Sequence, residues 1–147
     1  MDEKLQNEVI AFLKKQLYAN LATVSADDPG QPHVATVAYV NDGLDLYFVT
    51  KRQTRKFINL EKNSRVSLTI DTDEPDWMLI KGIQMEGEAE VVRQEGTSFA
   101  FGLLAEKYPL IRNLPPDPDY RFVHVKPKRI WYLDYRKCFG HREYLEV

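Results

Sequence analysis

Between Thr50 and Leu68 the chain reads TKRQTRKFINLEKNSRVSL, where Lys51, Arg52, Arg55, Lys56, Lys62 and Arg65 face one acid, Glu61. The whole chain carries 20 Lys and Arg against 22 Asp and Glu, a net charge of -2, so this cationic stretch is local. Its chemistry is that of an anion site. Thr54 stands where a strand gives way to a short helix, as an N-cap whose hydroxyl would accept a backbone N–H. The first-turn N–H groups behind it are unpaired and lie at the positive end of the helix dipole. Arg55 adds a two-pronged donor, Lys56 a mobile point charge and Thr50 a second hydroxyl, which together make a phosphate clamp. By charge alone, such a run is more often a solvated face.

Other chemistries find less support. His33, His124 and His141 form no HxxxH or HExxH pair, and a single cysteine, Cys138, excludes an internal disulfide and a cysteine-built zinc site. No metal site is expected, and no catalytic triad or carboxylate pair stands out. Cys138 reads as an incidental thiol, and His141 is an acid–base candidate on position alone. A nucleic-acid site would show a broad basic footprint with stacking aromatics, whereas here the clamp is one phosphate wide and only Tyr47 and Phe48 lie nearby.

These residues need a scaffold. With 147 residues, 44% hydrophobic and 29% charged, one globular domain spanning 1–147 is expected. No apolar run is long enough to span a membrane and no secretory leader opens the chain, which points to the cytoplasm. Leu5, Val9, Leu13 and Leu17 recur every four residues and predict an amphipathic helix over 3–18. The period then shortens: LATVSA, HVATVAYV and LDLYFVT are strands parted by the turn signals DDPGQP and NDG. A helix over 54–62, the strand RVSLTI and a long strand over 77–92 follow, the last with Gly82 and Gly87 as bulge candidates. TSFAFGLLAEKYPLI predicts a helix, NLPPDPD a loop, and YRFVHV and RIWYLDY two final strands, with Trp131 and Leu133 packed into the barrel. Six or seven mostly antiparallel strands with peripheral helices make a mainly β fold, a barrel whose closure removes exposed edges.

From about Leu21 to Val92 the sequence resembles the pyridoxamine 5'-phosphate oxidase-like superfamily of FMN-binding split barrels. LATVSADDPGQPHVATVAYV is similar to its first hairpin, LYFVTKRQTRKFINLEKNSRVSL to its strand, phosphate turn, helix and next strand, and IQMEGEAEVV to the following long strand. The resemblance implies an intertwined homodimer with FMN in a groove at the interface. Carried over position by position, it implies that Thr50, Thr54, Arg55 and Lys56 hold the FMN phosphate and that Val49 adds a main-chain contact. Ala35, Thr36 and Val37 would then run along the isoalloxazine edge. Gln84 stands three residues before Gly87, where the vitamin oxidases carry a glutamine five residues before that glycine, so its approach to the cofactor is an imperfect match. Their Arg-x-His substrate motif is missing, so oxidation of pyridoxine phosphate is not expected. What the resemblance implies is an FMN-dependent oxidoreductase acting on a small organic acceptor or dioxygen. The alternatives are a noncatalytic flavin or electron carrier, or a deazaflavin-dependent reductase of the same fold; related barrels also bind haem.

Overall fold

The computed structural model describes residues 2–147. Helix α1 (Glu3–Lys15) opens the chain, with the Asp2 carboxylate accepting the Leu5 N–H at 3.1 Å as its cap. Its apolar stripe of Leu5, Val9, Phe12 and Leu13 is buried, and each such side chain contributes roughly 1.5–3 kcal/mol when removed from water. The helix is shorter than the four-residue spacing suggests. Gln16 is already extended, Leu17 is exposed, and Tyr18 begins a strand.

Eight antiparallel strands follow: β1 (Tyr18–Val24), β2 (Pro32–Ala38), β3 (Val40–Asp42), β4 (Asp45–Lys51), β5 (Arg65–Asp71), β6 (Lys81–Val91), β7 (Tyr120–Asp134) and β8 (Arg142–Glu146). Helix α2 (Arg55–Lys62) joins β4 to β5, and α3 (Thr97–Lys107) follows β6. The sheet runs β2-β1-β5-β6-β7-β4-β3, with β8 added to β7. No ladder joins β2 to β3 among the described residues, so the barrel is split, with its two end strands unpaired on their outer sides. The mainly β expectation holds.

Three segments differ from the sequence reading. Trp77–Leu79 is a 3-10 turn because the Asp76 carboxylate caps Met78, and the strand starts only at Lys81. The two final strands are one, β7, which carries Pro127 within it. REYLE, in the C-terminal segment for which the sequence predicts no strand, is β8. The ladder between β6 and β7 slips between Glu86 and Gly87: Glu86 faces Arg129 and Gly87 faces Pro127, which leaves Lys128 as the extra residue of a bulge. Below it β7 pairs with β4, and beyond it with β8 on the same side. A Cβ on Gly87 would collide with the Lys126 carbonyl, so glycine is required there by close approach.

Cross-strand partners share a face of the sheet. On the inner face Leu21, Leu68, Met85 and Ile130 line up and close on α1. The outer face of β4 and the first half of β7 carries Tyr47, Val49 and Phe122, which α3 covers to make a second apolar cluster. The rest of the outer face is bare of helices. Across it runs one row, Thr36–Asn20–Thr69–Gln84–Trp131–Tyr144, in direct register.

Candidate functional site

The basic turn is built by the end of β4 and the start of α2. Its chain reverses because the Thr54 N–H returns to the Lys51 carbonyl at 3.0 Å. The Thr54 hydroxyl donates to the same carbonyl at 2.9 Å and lies 3.0 Å from the Thr50 hydroxyl. Thr54 occupies the cap position with extended backbone, as expected, but its side chain accepts no helix N–H. Its proton is spent on Lys51, and the buried Thr50 hydroxyl is turned toward it, so the two threonines brace the turn. The first-turn N–H groups of α2 therefore lack a side-chain cap, which leaves them for an external acceptor.

Helix α2 is riveted to β1 by Asn59, which is 2% exposed. Its amide donates to the Thr23 hydroxyl at 3.0 Å and accepts the Ala26 N–H at 2.9 Å. Phe57 and Leu60 anchor the same face in the core, leaving Ile58 outside. Lys62 finishes the attachment by donating to the Ala26 carbonyl at 2.6 Å.

The cations divide into two sets. Lys51 pairs with Asp117 at 3.0 Å and Arg52 with Asp119 at 2.8 Å, both acids coming from the Pro-rich loop before β7. Gln53 donates to Asp119 as well, at 2.6 Å. Arg55 instead donates to the buried Ser25 hydroxyl at 3.2 Å, a neutral partner, and Lys56 forms no ion pair among the described residues. Burial pulls the Lys56 ammonium below the ordinary lysine value. His33, on β2, is lowered by burial first and then by Arg55 and Lys56, whose charges reach it. Two unneutralised cations, a neutral imidazole and free helix N–H groups thus share one corner. That set of donors suits an anion of phosphate size.

The remaining candidate residues lie on β2, β4 and β6. Ala35 and Val37 point to the inner face, opposite Leu21 and Ala19. Thr36 and Gln84 lie on the outer face in the row described above, tied through Asn20, which accepts from Thr36 at 3.4 Å and donates to Thr69 at 3.2 Å. Val49 faces the α3 side of β4, opposite to Thr50. The chain thus brings Thr50, Thr54, Arg55 and Lys56 together, while Thr36 and Gln84 occupy the bare face and Val49 the covered one. Ser25, His33 and Asn59 are site residues that the sequence reading missed. Only Asn59, a polar residue on the apolar side of a short helix between Phe57 and Leu60, left a signal.

The tail also departs from expectation. Ile130 and Tyr132 enter the core, while Trp131 and Leu133 lie half-buried on the outer face. His141 bonds Glu143 at 3.1 Å, and Cys138 is exposed. His124 stacks on Tyr47 and bonds Asp45 at 2.7 Å. Among the described residues no group of three or more His, Cys, Asp or Glu is placed to hold a metal ion, and no helix is long and apolar enough to cross a membrane.

Residues 5–134 match the family described as pyridoxamine 5'-phosphate oxidase. The chain belongs to that family. Among the family's relatives, a 5a,11a-dehydrotetracycline/5a,11a-dehydrooxytetracycline reductase of Streptomyces rimosus is 32% identical over 93 residues. That match spans 59% of this chain and 63% of the relative's length. A conserved hypothetical protein of Mycobacterium tuberculosis has a similar structure, at 25% identity and a TM-score of 0.78, covering 100% of this chain and 92% of its own. HutZ, the heme storage protein of Vibrio cholerae, shares the fold at 23% identity and a TM-score of 0.72, covering 84% of this chain and 90% of its own.

Proposed function

We propose that this chain is an FMN-binding flavoprotein of oxidoreductase type. The observation that carries the reading is the pair Arg55 and Lys56, the two cations of the turn left without acids, at a helix start with uncapped N–H groups. A phosphate monoester dianion would satisfy all of them at once, and the terminal phosphate of FMN is such a group. Arg55, held by Ser25, supplies a fixed fork, and Lys56 adds charge at short range. Thr50 and Thr54 keep the turn in shape for it. FMN, when bound, supplies hydride and electron transfer, and the protein contributes orientation and electrostatics. The reductase of Streptomyces rimosus supports the redox reading; the substrate of this chain is its own question.

A second copy completes the site in this reading. The bare outer face carries Tyr18, Val34 and Tyr144, each about half exposed or more, the last of them ending the row that contains Thr36 and Gln84. Pairing of that face with its twofold mate would cover it and bring Gln84 and Thr36 toward a flavin whose phosphate lies on the turn. Light scattering on the eluting protein checks this, since a monomer at micromolar concentration would remove the partner's role.

The first experiment is a visible spectrum of freshly purified protein, repeated after adding FMN and desalting. A retained flavin band supports the proposal, and bleaching by NADH or NADPH followed by turnover with an acceptor separates an enzyme from a carrier. A Soret band, or selective retention of a deazaflavin, would overturn the FMN assignment.

A further inference from the structure

Beside the basic turn, on the covered side of the sheet, lies a cavity of about 690 Å³ between α3, the Pro-rich loop and the ends of β4, β6 and β7. Its walls are Val49, Val92, Phe101, Ile111, Leu114 and Phe122. Phe101 and Phe122 meet edge to face at 6.5 Å, which fixes two aromatic walls at a right angle. The volume lies within the range that small-molecule sites occupy.

Of the charged groups at its rim, the acid is already engaged and the base is not. Asp117 is neutralised by Lys51, whose ammonium also lies 5.7 Å from the Tyr120 ring centre. Arg121 donates from one guanidinium nitrogen to the carbonyls of Pro118 and Tyr120, at 2.8 and 2.9 Å, and pairs with no acid among the described residues. Thr97 donates to the Gln94 carbonyl at 2.8 Å. Among the described residues the Gln94 amide and the Tyr120 hydroxyl form no hydrogen bond, and both are polar groups of the lining left for a guest. A cationic ligand entering here would lose water and find no free counter-charge, since Asp117 is already paired and Arg121 would repel it. An uncharged ring compound would lose nothing comparable and would bury its faces on two phenylalanines.

We infer that this cavity is a binding site for a mostly apolar ring compound of one to three rings that carries no positive charge. Lys51 of the turn is paired with Asp117 of the rim, so under the flavoprotein reading this is the place for the organic substrate; that assignment of role rests on the reading above, whereas binding itself does not.

The test uses the full chain and N-phenyl-1-naphthylamine, a neutral probe whose fluorescence rises in apolar surroundings. Saturable binding with one probe per chain is expected, weakened at least tenfold by Phe101→Glu and by Leu114→Glu, and unchanged by Ser98→Glu, which lies on α3 outside the cavity. Leu114 is a half-exposed loop residue, so its variant reports even if Phe101→Glu fails to fold. A naphthalene of similar size carrying a quaternary ammonium group should bind at least tenfold more weakly. The double variant Arg55→Ala/Lys56→Ala should keep the probe while losing FMN, which separates failure of this inference from failure of the flavin reading. No saturable binding, equal binding in the cavity variants, or equal affinity for the cationic ring would each overturn it.

Discussion

Replacing Lys56 by Met tests the phosphate assignment through opposite effects on binding and stability. Met keeps most of the length of the side chain and removes the charge. In the ligand-free protein, Lys56 has no acid to lose and its ammonium is partly withdrawn from water, so removal should leave stability within about 0.5 kcal/mol or raise it slightly. In the FMN complex the same change deletes a charge-assisted hydrogen bond to phosphate, about 2 kcal/mol, or roughly a thirtyfold loss of affinity. Riboflavin, which has no phosphate, supplies the internal control. Quenching of flavin fluorescence during titration gives both affinities, and thermal unfolding gives stability. FMN affinity should fall toward that of riboflavin while riboflavin affinity stays constant. Equal losses for the two flavins, or a marked drop in melting temperature with FMN affinity unchanged, would show that Lys56 serves the fold, and the argument from the unpaired cation would be lost.

Three further outcomes follow from the geometry. The His33 imidazole should titrate below 6.5 in the ligand-free protein, seen by NMR, and move upward when inorganic phosphate or FMN is added; because its folded value is depressed, stability from this group is present above 6.5 and is lost as pH falls through the folded value. A ligand-free value at or above 6.5 would contradict the placement of Arg55 and Lys56 beside it. Gly87→Ala should cost about 1–3 kcal/mol, read as a fall in melting temperature, since its methyl group meets backbone that cannot rotate away; an unchanged melt would mean that the bulge is not rigid. Asp117→Asn should lower the melting temperature only slightly, with the loss shrinking in high salt, because the pair with Lys51 is solvent-exposed; a large, salt-independent loss would make that bridge a structural tether.

The strands were readable because β-branched and aromatic residues alternate within segments bounded by Gly, Pro and Asp, and the same local rules placed α2 within one residue. The end of α1 was misread because Leu17 continues the apolar spacing, yet the backbone turns extended at Gln16 and sends that side chain to solvent. Trp77–Leu79 has strand-like composition, but a capping carboxylate two residues earlier coils it. The anion corner was visible in Thr50, Thr54, Arg55 and Lys56, whereas the split among its cations was not. Nothing local marks Asp117 and Asp119, more than sixty residues away along the chain, as the acids that claim Lys51 and Arg52. Ser25 and His33 came to the site by the pairing of β1 with β2, and the opposite facing of Thr36 and Val37 matters only once one face is covered.

The single unpaired residue at Lys128 acts on β7 as a change of phase. Before it the inward positions are Val123 and Val125; counting on by twos reaches Arg129, Trp131 and Leu133, the facing expected from the sequence. One extra residue shifts the count, so Ile130 and Tyr132 go in and Trp131 comes out to stand beside Gln84 and Tyr144. The interior and the open face of the far half of the sheet are therefore both set by chain length at one point, and loss of one residue there would exchange them as a frameshift exchanges codons, with no side chain beyond it altered.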